Sequence, residues 1–435
     1  MRDSVRPYPH TRMRRAVGLT LSAAICLGAV QSAPPRSASA VSLDALVRNP
    51  AVRTALDLAR SDEPQVVSDQ IRICEIAAPP FKEAGRAQAV KVAFEQLGLT
   101  NVRLDKIGNV LADRPGASSR PRLVVAAHLD TVFPEGTDVR VKRSGAVLTG
   151  PGVGDNCRGL AVLLAVARTL GRANVQTEGS VTFVANVGEE GLGNLRGMKQ
   201  LFGDTMQGQI DKFLSIDGSG LFLVNTAVGS RRYRITFKGP GGHSYAAFGM
   251  ANPVQAMGRA IGKISQLQIP SQKDQPKTTF NVGRVGGGTS VNAIPSESWM
   301  EIDLRSQDAA SLAALDVSVQ RAVDEAVREE NQRWGSRSTI TVARELIGDR
   351  PSGRTPADSS IVQTGLAAAR ALDIRLSPIE SSTDANVPIQ LKIPAITIGT
   401  GGQGARPHTA GETFDTTDAW RGTQYAVLLV IALAR

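Results

Sequence analysis

Set aside the first forty residues and this 435-residue chain retains three histidines: His128, His243 and His408. Each stands in a short polar motif at an expected strand end or loop, with carboxylates or glycines beside it. Imidazole is the commonest metal ligand and a frequent proton carrier near neutral pH. With Asp155, Glu189, Glu190 and Asp217, these histidines are the residue types of a hydrolytic centre built on two metal ions.

His128-Leu129-Asp130 closes the apolar run 123–127. Residues i and i+2 of an extended chain share a face, so the Asp130 carboxylate can orient a ligating His128. A strand-end histidine bonded only to its surroundings is the plain alternative. Asp155 lies in Gly150-Pro-Gly-Val-Gly-Asp-Asn-Cys-Arg-Gly159, directly before an expected helix. The glycines permit a tight loop that aims one carboxylate into a cleft. Glycine-rich turns before helices also bind phosphate, but the lysine followed by serine or threonine of a phosphate loop is missing. Glu189-Glu190 follows the apolar run 181–187, where adjacent carboxylates are costly to bury unless cations or a shared proton compensate. Neighbouring side chains diverge, so one glutamate can ligate while the other faces the attacking water as a base. Asp217 follows the run 213–216, and His408 sits in Arg406-Pro-His-Thr-Ala-Gly-Glu412.

These residues need strands that end together. Apolar runs over 102–104, 123–127, 181–187 and 213–216 predict such strands, with a helix over 160–170 opened by Gly159. Helical spacing also governs 43–97, with a break near Ala78-Pro79-Pro80. The alternation predicts an α/β fold whose mostly parallel sheet carries helices on both faces. In open sheets of this kind the ligand crevice lies at the strand carboxyl ends, where His128, Glu189, Glu190 and Asp217 all fall. Near Gly229 the pattern changes to a strand over 231–238, a helix over 253–267, strands over 278–285 and 299–305, a helix over 309–331 and a strand over 338–345. That β-α-β-β-α-β order predicts a ferredoxin-like α+β unit inserted into the larger one. The first pattern resumes after Pro351 with a helix over 359–372 and a strand over 395–398. The expected division is 1–40 as an export signal, 41–229 and 347–435 as the catalytic domain, and 230–346 as a lid.

The composition, 42% hydrophobic and 21% charged, supports a sizeable core. Of the net charge of +10, residues 1–40 contribute +5 through six arginines against Asp3. The remaining +5, without a lysine/arginine cluster interleaved with aromatics, gives no footing for nucleic acid as a partner. Arg12, Arg14 and Arg15 precede an apolar run over 16–30, and Ala38-Ser39-Ala40 has the form of a cleavage site, as in a bacterial export signal. The apolar run is shorter than the roughly 20 residues of a membrane span. A periplasmic or secreted protein with no stable membrane anchor is expected, by general or twin-arginine export. Cys74 and Cys157 remain beyond that segment and are compatible with one disulfide or with two thiols.

Taken together in order and spacing, His128-Leu-Asp130, Gly154-Asp155-Asn156, Glu189-Glu190, Ser215-Ile-Asp217, Gly242-His243-Ser244, Asp303-Leu-Arg305 and His408 are highly specific. The chain resembles the zinc exopeptidase superfamily that contains peptidase T, carnosinases, aminoacylases and carboxypeptidase G, over nearly all of its length after the export segment. The resemblance implies two zinc ions per chain, replaceable by cobalt or manganese, bridged by Asp155. It gives His128 and Asp217 to one ion and Glu190 and His408 to the other, with Glu189 as general base and Asp130 orienting His128. It further implies a cis bond between Asp155 and Asn156 and an oxyanion contact from His243, often across a dimer formed by the lids. Arg305 and Asn292 would hold substrate from the lid.

Relatives with aspartate at the place of Asp217 tend to be aminopeptidases or dipeptidases, so small peptides, with a di- or tripeptide first, are the expected substrates. An amidohydrolase or deacylase of N-acyl amino acids is the alternative, and a non-catalytic peptide-binding protein on the same fold is a third reading. In the glycine-rich stretch 399–406, Arg406 is either an anion contact or an exposed arginine without a substrate role. Gly286-Gly287-Gly288 reads as a hairpin turn.

Overall fold

The computed structural model describes residues 43–269 and 275–435. The expected export signal and its cleavage site lie outside them. Among the described residues no helix is long and apolar enough to cross a membrane.

Six strands open the main sheet: β1 (Thr100–Leu104), β2 (Val110–Arg114), β3 (Arg122–His128), β4 (Ser180–Asn186), β5 (Lys212–Ile216) and β6 (Leu223–Ala227). The chain then makes four long strands, β7 (Gly229–Lys238), β8 (Thr278–Gly287), β9 (Glu297–Ser306) and β10 (Thr341–Arg350). It returns to the main sheet as β11 (Gly353–Arg354), β12 (Pro378–Ser381) and β13 (Ala395–Ile398). The main sheet runs β1-β2-β4-β3-β5-β13-β6-β11, with β12 also beside β6. Its central strands β4, β3, β5 and β13 are parallel, and antiparallel neighbours close both edges. Parallel strands covered on both faces are apolar throughout: residues 123–128 of β3 are buried without a break.

Helices Pro50–Ser61, Cys157–Arg172, Ser360–Ala371 and Trp420–Leu433 pack together, their apolar side chains in one core with β3 and β4. Trp420–Leu433 is buried nearly all round, and its Ala-Val-Leu-Leu-Val-Ile-Ala-Leu run has no helical period to betray it. β2 was likewise not expected. Caps mark several helix starts. Asn49 accepts from the Ala51 N–H and Asn252 from the Val254 N–H, each just before a proline at the first helical position, and Asp308 accepts from Ser311.

The inserted strands form a separate antiparallel sheet ordered β8-β9-β7-β10. Helices Pro253–Ser265 and Ala309–Trp334 cover it, with an apolar core of its own around Ile235, Phe237, Met300, Ile302 and Val319. This is the split β-α-β-β-α-β unit. β10 begins later and runs further than the expected 338–345, ending at Arg350. The entry and exit of the insertion are adjacent, since Ala227 of β6 pairs with Gly353 of β11.

A small sheet beside the main one pairs residues 142–144, Val147–Thr149, Thr413–Asp415 and Gln403–Ala405. Cys74, the last residue of helix Glu63–Cys74, forms a disulfide with Cys157, the first of helix Cys157–Arg172, with Cα atoms 5.3 Å apart. Of the two states open to these cysteines, the structure has the bonded one.

Candidate active site

The carboxyl ends of β3, β4 and β5 deliver His128, Glu189, Glu190 and Asp217 to one edge of the sheet. Asp155 arrives from the loop between Val147–Thr149 and helix Cys157–Arg172, with a cis bond to Asn156. His408 arrives from the turn between the small-sheet strands Gln403–Ala405 and Thr413–Asp415. Ligand atoms of His128, Asp155 and Asp217 lie within 4.8 Å of one another, as do those of Asp155, Glu190 and His408 and those of His128, Glu189 and Glu190.

His128 Nε2 stands 3.0 Å from Asp155 Oδ1 and 3.4 Å from Asp217 Oδ1. His408 Nε2 stands 3.1 Å from Glu190 Oε1 and 3.3 Å from Asp155 Oδ2. Asp155 is therefore shared by two donor groups. Both groups combine one imidazole with hard carboxylate oxygens, a set that fits divalent cations such as zinc.

Asp130 organises this arrangement from two sides. Its backbone carbonyl takes the His128 Nδ1–H at 3.0 Å, leaving Nε2 free as a ligand, while its carboxylate is 3.6 Å from that ring. The carboxylate accepts the backbone N–H groups of Glu189 at 3.0 Å and Glu190 at 2.8 Å. The contact with His128 thus comes from the Asp130 main chain, and the Asp130 side chain holds the two glutamates. The buried Arg86 donates to the carbonyls of Leu129, Ile76 and Cys74, tying this turn to the preceding helix.

Glu189, the expected base, is buried and paired with Arg350, the last residue of β10. Arg350 Nη1 donates to Glu189 Oε1 at 2.9 Å and to the Ser382 hydroxyl at 3.1 Å, and Nη2 donates to the Glu189 carbonyl. Arg350 escaped the sequence reading because β10 was expected to end at residue 345.

Burial raises the Glu189 carboxyl well above the ordinary range despite Arg350, and raises Glu190 against its bond to His408. Burial opposes a charged His128, yet bonds to Asp130, Asp155 and Asp217 hold its pKa well above the usual value. Burial likewise opposes a charged Asp155, but His128 and His408 depress it. His408 is pushed up to about 10 by Asp155 and Glu190. So many carboxylates around two imidazoles bind positive charge, and bound cations would take the place of these protons.

Asp384, at the end of β12, is fully buried and raised to about 7 by burial, with one oxygen accepting from Asn186 at 2.8 Å. Its approach to the site was invisible in the Ser-Ser-Thr-Asp stretch because no apolar strand precedes it.

The cluster opens into a cavity of about 500 Å³ lined by Asp155, Glu189, Glu190, Asp217 and His408 on one side and by Phe222, Val132 and Pro407 beside them. Arg232 of β7 and Arg305 of β9 also line it, and Arg232 Nη1 donates to the Gly191 carbonyl at 2.8 Å. Asp303 fixes both, accepting from Arg232 Nε at 2.9 Å and Arg305 Nε at 2.6 Å. A guanidinium lining the cavity is a group that pairs with carboxylates. Burial and the nearby Arg350 hold the Arg232 guanidinium below its ordinary range.

His243, Asn292 and Arg406 do not line this cavity. His243 pairs with Ala293 in a two-residue ribbon; its exposed ring accepts the Tyr245 and Ala246 N–H groups at Nδ1, both at 3.3 Å. The exposed Asn292, on the segment that pairs with His243, accepts from Ser244 N–H at its carbonyl at 2.9 Å. Arg406 is exposed, its guanidinium lying over Gly411 in its own turn.

Donor groups of this kind, at this edge of this kind of sheet, define a class of metal-dependent hydrolases. The chain belongs to one family within it, Peptidase family M20/M25/M40, whose pattern matches residues 124–432. The chain is similar to the uncharacterized protein YqjE of Bacillus subtilis, 23% identical over 391 residues that cover 86% of this chain and 100% of that one. A succinyl-diaminopimelate desuccinylase of Corynebacterium glutamicum is 23% identical over 238 residues, 54% of this chain and 64% of that one. Among solved structures, a tripeptidase of Staphylococcus aureus has the same fold, with a TM-score of 0.70, 21% identity, and coverage of 86% of this chain and 99% of that one.

Proposed function

We propose that this protein is a zinc-dependent exopeptidase that removes the N-terminal residue of di- and tripeptides, using two metal ions that share Asp155. The observation that carries the reading is the pair of donor groups meeting at Asp155, with a buried Glu189 beside them and a guanidinium pair lining the same cavity. His128 and Asp217 would hold one ion and Glu190 and His408 the other. Bound there, the ions supply Lewis acidity to the scissile carbonyl and to water.

Glu189 takes the proton of the attacking water and passes it to the departing amine. Arg350 holds its carboxylate in place for both transfers, and Asp130 keeps His128 in the ligating tautomer. Arg305, assisted by Arg232, grips the free carboxylate of the substrate, which sets the length of chain that reaches the base. A cavity of about 500 Å³ suits short substrates rather than folded proteins.

Similarity to a tripeptidase supports the peptide reading. The alternative, an N-acyl amino acid deacylase, is supported by the same guanidinium pair and by the desuccinylase relative. Export of the mature chain is part of the proposal, supported by the Cys74–Cys157 disulfide, since such bonds persist in oxidising compartments. So is a homodimer through the lids. It is supported by His243, which stands exposed and off the cavity of its own subunit and would serve the partner's as oxyanion donor.

The test is metal content of the purified protein read beside hydrolysis of a di- and tripeptide panel and of N-acyl amino acids. About two zinc per chain with chelator-sensitive release of N-terminal residues is expected. Cleavage of N-acyl amino acids alone would move the assignment to deacylase. Absence of tight metal after reconstitution would end the catalytic scheme, and sedimentation at the monomer mass would end the dimer.

A further inference from the structure

We propose that Glu412 is a positioning residue that locks the Asp155 loop to the His408 turn and so secures the metal position made by Asp155, Glu190 and His408. The inference rests on the two-metal reading for its consequence, and on the geometry alone for its cause.

Three ligand positions are held from the main sheet. His128 ends β3, Asp217 follows β5 directly with its N–H on the Ile398 carbonyl, and Glu190, four residues past β4, has its N–H on the Asp130 carboxylate. Asp155 and His408 lie outside that ladder, in loops at the end of the small sheet. There Thr413 pairs with Thr149, and each chain then continues alone toward its ligand.

Glu412 joins the two just past that last pair. It is 2% exposed, and both of its carboxylate oxygens are turned onto the backbone of the Asp155 loop. Oε1 accepts the N–H groups of Gly154 at 2.8 Å and Asp155 at 2.9 Å, and Oε2 accepts that of Gly152 at 3.2 Å. Its main-chain carbonyl takes the Gly150 N–H at 3.0 Å.

On the other side, the Glu412 N–H donates to the Thr409 carbonyl at 3.0 Å, and the Thr409 hydroxyl donates to the Arg406 carbonyl at 2.9 Å. His408, with φ at 62°, is enclosed in that turn. One carboxylate thus sets where two ligand-bearing loops stand, and His408 Nε2 lies 3.3 Å from Asp155 Oδ2 as the result.

Chemistry favours a carboxylate here. Three converging N–H donors need acceptor capacity on both oxygens, which an amide cannot supply because one end becomes a donor. The fit is also close, since a Cβ on Gly154 would stand 3.0 Å from Glu412 Oε1 and 2.5 Å from Ser219 Oγ.

The experiment compares chelator-stripped wild type and Glu412→Gln in two readouts. Calorimetric titration with zinc is expected to show two tight equivalents in the wild type. In the variant the second equivalent should weaken at least tenfold, with the first less affected. Amide hydrogen exchange over residues 152–155, measured without metal, is expected to quicken at least tenfold in the variant. Unchanged zinc affinities with unchanged exchange overturn the proposal, and uniform weakening of both equivalents overturns the locking of the two loops. Should Glu412→Gln fail to fold, Gly154→Ala disturbs the same contact, and wild-type behaviour of that variant in both readouts is equally fatal. A wild type that takes up no zinc ends the two-metal reading, while the exchange measurement still decides whether Glu412 holds the loop.

Discussion

At the scale of single residues, the base and the group that holds it are separable. Glu189→Gln removes the proton acceptor and leaves every proposed ligand in place. Turnover should fall by about 10²–10⁴ with metal content unchanged. Arg350→Met frees the carboxylate rather than deleting it, so kcat should drop by roughly 10²-fold with KM nearly constant and Arg350→Lys recovering part of the loss. A fall in KM-limited binding with normal kcat would place Arg350 on the substrate instead. Asp384 permits a test by pH. Its carboxyl is raised to about 7 from an ordinary value near 4, so the folded state favours the neutral form. That stabilising contribution is complete below pH ~4 and is lost as pH rises through about 7. In metal-free protein the thermal midpoint of Asp384→Asn should therefore gain on wild type between pH 5 and pH 8, by about 1 °C for each kcal/mol involved. A constant gap across that range would contradict the assignment. Much of the candidate site was legible in the sequence because His128, Asp155, Glu189, Glu190 and Asp217 each follow an apolar run or a glycine loop that announces a strand end or turn. Arg232, Arg350, Asp384 and Glu412 were not, because their importance comes from partners far away in the chain.

At the scale of elements, periodicity served where a strand or helix has one face in water. β7 and helix Pro253–Ser265 alternate visibly and were placed within a few residues. It failed for helix Trp420–Leu433, which is apolar on every side, and for the end of β10, where Gly348-Asp349-Arg350 has no apolar signal. The Cys74–Cys157 bond acts at this scale as well. It ties the end of one helix to the start of the helix that follows Asp155, across a separation of 83 residues. Closing such a span restricts the unfolded chain by up to about 4–5 kcal/mol in the chain-entropy account. Reduction, or Cys74→Ser, should lower the unfolding midpoint markedly and weaken metal retention with it. A reduced protein of equal stability and equal metal content would show the bond to be incidental.

At the scale of the whole molecule, the site unites segments from both ends of the described chain, so its occupancy and global stability are linked. Asp155, Glu190 and Asp217, divided between two donor groups that share Asp155, gather negative charge that bound cations would relieve. Ligand binding to the folded state alone stabilises it by about 4 kcal/mol at a thousandfold excess over Kd. Chelation should therefore abolish activity and lower the unfolding midpoint by several degrees, both restored by zinc. Loss of activity with an unmoved midpoint would mean that the cations are held too weakly to be resident.

The insertion leaves and rejoins the main sheet at Ala227 and Gly353, which are hydrogen-bonded neighbours. Adjacent strands stand about 4.8 Å apart. To the rest of the fold, the whole four-stranded unit is then no wider than the loop of a hairpin. Lineages can lengthen, replace or remove such a unit without reordering a single strand beneath it. The cavity residues that the insertion carries, Arg232 and Arg305, can thus vary separately from those that the main sheet carries.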